Sequence, residues 1–229
     1  MKNSILCSIL IGLLISCSTD SDLPASENKN IVPKSSDMLR GAGNDANPFD
    51  YKGEQYYQAL MHYRGENPFP SSVKEMTCEL NFISQKLYKT KATGKSIIAF
   101  NDSIVESIMA DPDASLIAIV QGSLLGSGSK TSLINFLQGL ISQRQHSFSS
   151  SYAYIVSYED SVLQSSSFSE DDADTILTVT SISRYSLYSE SERKDKDWDT
   201  SAGNKTVRPF FAENKTALIS IIALIGLLN

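Results

Sequence analysis

The chain has 229 residues, is 41% apolar and 20% charged, and carries a net charge of −6 at pH 7. Mild acidity argues against a nucleic-acid partner, which needs clustered Lys and Arg, and against attachment to anionic membranes through charge. Three cysteines and two histidines are too few for a disulfide framework and give no basis for a zinc site.

The first stretch, MKNSILCSILIGLLISC, constrains the reading most. Lys2 gives a short positive start, and an apolar run of about 11 residues follows from Ile5 to Ile15. That run is too short to span a bilayer and suits a signal-peptide core. Leu14-Ile15-Ser16-Cys17 then has the order of a bacterial lipobox. A small residue before the cysteine admits the peptidase, and the thiol accepts a diacylglycerol. The expectation is a signal peptide over 1–16 and lipidation at Cys17. Cleavage there removes one charge, Lys2, and leaves 213 residues at net −7. Only Cys78 then remains as a thiol, so the fold must be held by its core.

Residues 17–46 read as the lipidated Cys and a flexible tether, with Pro24, Pro33 and many Ser, Asn, Asp and Gly. So polar a segment buries too little to offset the entropy of ordering. Order is expected from Asn47-Pro48-Phe49-Asp50-Tyr51-Lys52-Gly53 onward, giving one domain over 47–229.

Within it the predicted elements are helices. The first covers 53–64, with Tyr57, Leu60, Met61 and Arg64 on one face, and Asn67-Pro68-Phe69-Pro70 breaks it. The second opens on a capping box, Ser72 and Glu75, and carries Val73, Met76, Leu80, Ile83 and Leu87 in an a/d stripe. After the basic stretch 86–95, a third begins near Asn101 or Asp102 and presents Ile104, Val105, Ile108 and Met109. Asp111-Pro112-Asp113 ends it. Residues 114–125 and 132–141 are two apolar arms about Gly126-Ser127-Gly128-Ser129. A buried strand at 115–120 has much the same pattern. Further helices are expected over 151–164, with Tyr152, Ile155, Tyr158 and Val162 inward, and from the cap Ser169 onward. The latter places Ala173, Ile176, Leu177, Thr180, Arg184 and Leu187 on one face. A charged loop over 190–199 and a last apolar helix over 217–228 complete the set. All seven prolines fall between these segments, where they do no harm to a helix. The expected fold class is all-α, a single helical bundle.

Chemistry-bearing motifs are weak. Ala92-Thr93-Gly94-Lys95-Ser96 ends like a phosphate loop, but Lys89 stands where the first glycine belongs. Gly122 to Thr131 fails in register, because Ser129 separates Gly128 from Lys130. His62 and His146 have no second ligand at helical spacing, and Cys78 reads as a packed helix residue. Arg184, on an otherwise apolar face, is expected to pair with a buried carboxylate or carbonyls, or else to hold an anion. The apolar segments 115–142 and 217–228 are either core or a bilayer-inserting device, although each arm is short for a bilayer.

Asn47 to Gly53, together with Ser181-Ile182-Ser183-Arg184-Tyr185-Ser186-Leu187-Tyr188, resembles a group of uncharacterised Bacteroidota lipoproteins. Those carry an N-P-Y-D-Y-x-G start and an A-R-Y-S-x-Y-like segment; here Phe49 and Ser183 depart from the pattern. The resemblance implies a lipid-anchored envelope protein and carries no activity. It also draws attention to Asp102-Ser103-Ile104, Asp160-Ser161-Val162 and Asp174-Thr175-Ile176, which look like O-glycosylation triplets of that phylum. The expected function is a non-enzymatic outer-membrane lipoprotein, on the periplasmic or surface face, that binds another protein or an envelope component. The alternatives are a membrane-active protein and an enzyme with an unrecognised site. No cofactor or metal is expected, and the membrane partner is reached through the anchor.

Overall fold

The computed structural model describes residues 41–88, 100–143, 146–200 and 217–221, with side chains to 193 in the last long helix. Cys17, the signal segment and 92–96 lie outside them, as does 222–228 of the last apolar segment. The described residues belong to one unit, 35–229. Among them the only regular secondary structure is α-helix: α1 (Asp50–Glu66), α2 (Val73–Tyr88), α3 (Asp102–Ala110), α4 (Pro112–Gly122), α5 (Ser127–Gln143), α6 (Phe148–Gln164), α7 (Glu170–Thr200) and a short helical segment at 217–221. The fold is all-α, and 115–120 is helix rather than strand.

Local chemistry sets the boundaries. The Ser72 hydroxyl accepts from Glu75 N (3.3 Å), while the Glu75 carboxylate reaches back to Ser71 N (2.6 Å). Asn101 caps α3 by accepting from Ile104 N, and Asp111 caps α4 by accepting from Ala114 N with Pro112 just inside. Ser147 and Ser169 open α6 and α7 in the same way. Two expected loops are helical. Gly128 and Ser129 lie in the first turn of α5, and 190–199 continues α7 to Thr200. The second correction has a plain cause. The run is rich in Glu, Lys and Arg, which are good helix formers, holds no Gly or Pro, and begins with an i,i+3 ion pair between Glu190 and Arg193.

The 31-residue α7 is about 46 Å long and is the centre of the fold. Every residue from Ile176 to Leu187 is buried. It packs chiefly on α1 and α6 and more narrowly on α5, while each of the other helices packs on the next in sequence. Hydroxyls make all-round burial possible. Thr180 donates to Leu177 O and Ser183 to Val179 O, so these polar side chains are satisfied within their own helix. One apolar cluster joins Tyr56, Tyr57, Leu60, Ile83, Leu87, Ile182 and Tyr185 across α1, α2 and α7. A larger one gathers Met76, Leu116, Leu133, Leu137, Ile155 and Ile176 with 217–221.

Glycines allow two close approaches. A Cβ on Gly53 of α1 would lie 2.4 Å from the Ser181 hydroxyl and 2.6 Å from its backbone oxygen on α7. One on Gly139 of α5 would meet Tyr154 of α6 at 2.0 Å; that tyrosine donates to Phe136 O.

Ala217, Leu218, Ile219, Ser220 and Ile221 are all nearly inaccessible, so 217–221 lies inside the domain. In the apolar arms, Leu116, Val120, Leu133, Phe136, Leu137 and Leu140 are likewise core, whereas Leu124 in the loop between them is 84% exposed. No helix among the described residues is long and apolar enough to cross a membrane. Ile219→Ala is therefore expected to lower stability by about 2–5 kcal/mol in urea unfolding. A solvent-facing position would change by no more than roughly 0.5 kcal/mol.

Candidate functional site

Residues 42–50, running into the first residue of α1, form a strap that begins ahead of the expected start at Asn47 and packs into the domain. Ala42 is fully buried, and Asn47 is nearly so. The strap lies against Arg184 of α7 and Glu159 of α6, both of which have no solvent exposure. Arg184 Nε donates to Glu159 Oε1 (3.2 Å), Nη1 to Ala42 O, and Nη2 to Asp50 Oδ1. Glu159 also accepts from the amides of Asn44 (2.6 Å) and Asn47 (2.7 Å). Asp50 accepts from the Tyr185 hydroxyl (3.1 Å) and from Asn44 N (3.2 Å). Asn47 reaches Leu177 O as well, and the Tyr152 hydroxyl donates to Gly43 O at 2.6 Å.

One guanidinium thus faces two carboxylates. Each of the four carboxylate oxygens accepts at least one hydrogen bond, and neutral amide and hydroxyl donors offset the excess negative charge. An entering anion would meet two carboxylates and a guanidinium already directed at them. The arrangement suits a cross-link between chain segments better than an anion site.

A second buried pair joins α1 to α2. Arg64 Nε donates to Glu79 Oε2 (3.3 Å), and Glu79 has no exposure. Burial raises the Glu79 carboxyl above the usual range, and Arg64 draws it back. The guanidinia of Arg64 and Arg193 lie 4.9 and 5.2 Å from the Phe69 ring centroid, so the break at Asn67-Pro68-Phe69-Pro70 is held by two cation–π contacts.

The other candidates are placed apart in local settings. His62 is exposed and stacks on Phe82 (5.5 Å), His146 bonds Gln143, and Cys78, expected as a packed residue, is instead an exposed free thiol, since it lies outside the a/d stripe of α2. No group of three or more His, Cys, Asp or Glu among the described residues is arranged to hold a metal. The loop that follows Gly122 is pinned by α7: Asp172 Oδ2 accepts from Gly126 N (3.1 Å) and Ser129 Oγ (2.7 Å). The acceptor at the start of α5 is the chain's own carboxylate. Of the glycosylation triplets, Ser103 and Ser161 are exposed on helices; the Ser161 hydroxyl donates to Tyr158 O and that of Thr175 to Asp171 O.

Tyrosines flank the strap's partners. Tyr57 lies 6.2 Å from Tyr185 and 5.9 Å from Tyr188, and donates to Glu192 at 2.5 Å. Burial, then the Glu192 carboxylate, pushes Tyr188 from 10.0 up to about 12. Tyr57 and Tyr185 are raised as well, first by burial and then by Glu192 and Asp50 respectively. Folding therefore favours the neutral phenols. Their contribution is complete below pH 10 and is lost as pH climbs toward 12. The urea midpoint is expected to fall across that window, less steeply in Tyr188→Phe; a flat midpoint contradicts this assignment.

Arg184 was visible in the sequence; Glu159 and Glu79 were missed. Glu159 stands between Ile155 and Val162 at helical spacing, inside the buried stripe of α6. That position was the available signal, because a carboxylate there requires a cation.

Compared with family models, with curated proteins and with solved structures, the chain matches none.

Proposed function

We propose that this chain is a lipid-anchored protein of the bacterial outer membrane, attached through Cys17, that works by binding another protein or an envelope component. The sequence from Met1 to Cys17 supports the anchor. The observation that supports a binding role over catalysis is the use made of Arg184, Glu159 and Asp50. These charged groups face one another in the interior and fasten the strap through which the tether enters the domain. Burial of Leu116, Val120, Leu133, Phe136, Leu137, Leu140 and 217–221 weighs against the membrane-active alternative.

The anchor is tested by metabolic labelling with palmitate. Label is expected in the native chain and absent from Cys17→Ala; equal labelling of both rejects lipidation at this residue. Crosslinking in intact cells followed by mass spectrometry tests the binding role. A specific partner is expected with the anchored form and not with mislocalised Cys17→Ala. Recovery of no partner from either form rejects the binding role.

A further inference from the structure

Where a chain enters a domain its first residues usually fray, because few buried contacts hold them. The strap 42–50 is built otherwise. Arg184 grips both of its ends, bonding Ala42 O with Nη1 and Asp50 with Nη2. Between those points Gly43 bonds Tyr152, and Asn44 and Asn47 share Glu159. These partners lie 109 to 142 residues away in sequence. Among the described residues, the first hydrogen bond met from upstream is Arg184–Ala42. Breaking it strands a guanidinium donor in a dry interior, one of the larger penalties a single contact can carry. The strap therefore has no low-cost first step by which to peel.

We propose that residues 42–50 are a mechanical latch: tension along the chain preceding Gly41 releases the strap only when α6 and α7 come apart with it. The biological use of the latch rests on the lipid-anchor reading, since a domain leashed to a membrane takes its load at this point.

The test is single-molecule force spectroscopy on the full chain, with Cys7 and Cys78 replaced by Ser. One handle is attached at Cys17 and the other at Ser166→Cys, an exposed position in the loop before α7. With the strap intact, one main rupture with no earlier step from the domain is expected. In Arg184→Met/Glu159→Met, which removes the grip on Ala42 and Asp50 together with the counter-charge it would leave behind, an earlier step at lower force should release about nine residues, roughly 30 Å of chain. Ile219→Ala, which weakens the core away from the strap, should lower the main rupture without adding that step. An early 30 Å-scale step in the unaltered strap overturns the proposal, as does its absence in the double variant. Palmitate labelling judges the anchor separately, so an unlabelled Cys17 with an intact latch and a labelled Cys17 with a peeling strap are distinct results.

Discussion

Replacing Arg184 with methionine is expected to reduce folding stability by about 3–5 kcal/mol, the range for breaking a buried ion pair from one side. Methionine fills much of the same volume, so lost packing is the smaller part. The larger part is what stays behind. Glu159 keeps the amides of Asn44 and Asn47 but loses its counter-charge while fully buried, and Asp50 loses the same guanidinium. Arg184→Met/Glu159→Met should recover part of the loss, because an apolar pair of similar volume is often as stable as the ion pair it replaces. Urea unfolding of both variants checks this. A loss below about 1 kcal/mol in Arg184→Met would place the pair with solvent-screened surface bridges, contrary to its burial.

The second large effect is expected at Gly53→Ala. Overpacking costs typically 1–3 kcal/mol, and this site should lie at or above the top of that range. The added methyl meets the Ser181 hydroxyl and Tyr185 Cδ2 at 2.4 Å and the Ser181 backbone oxygen at 2.6 Å. A hydroxyl can be removed, but a backbone oxygen moves only if α1 withdraws from α7. Withdrawal also stretches the bond from Gly53 N to Ser181 Oγ, now 3.1 Å. Gly53→Ala/Ser181→Ala should therefore stay close to the single variant in urea midpoint. Full recovery in the double variant would show that the hydroxyl alone was the obstacle.

The parts of the fold legible in sequence are those where one local signal acts unopposed. The a/d stripe of α2 is one: Met76, Leu80, Ile83 and Leu87 are all buried. The caps at Asn101, Asp111 and Ser169 are another, since a side chain answering a backbone N–H three residues on is local chemistry. Illegible were features decided by distant partners. Thr178, Ser181, Ser183 and Ser186 lie off the face drawn from the sequence, yet all are buried, and the hydroxyls of Ser181, Ser183 and Ser186 turn to carbonyls of Asp50, Val179 and Ala217. Glu159 and Glu79 do not stand out in the sequence because their guanidinium partners come from other helices. The strap before Asn47 was missed because Gly43 and Asn44 look like tether until Arg184, Glu159 and Tyr152 are set against them.

The central place of α7 bears on how the domain is made. Strap and α1 find their principal partners about 130 residues later in the chain. At a synthesis rate of ~5–20 residues per second, α1 waits on the order of ten seconds for the helix it closes on. Until then α1 to α6 have no shared centre, and folding that depends on such distant pairings is slow. A newly made chain thus lacks the centre of its fold for most of its synthesis and completes its packing when the last long helix arrives.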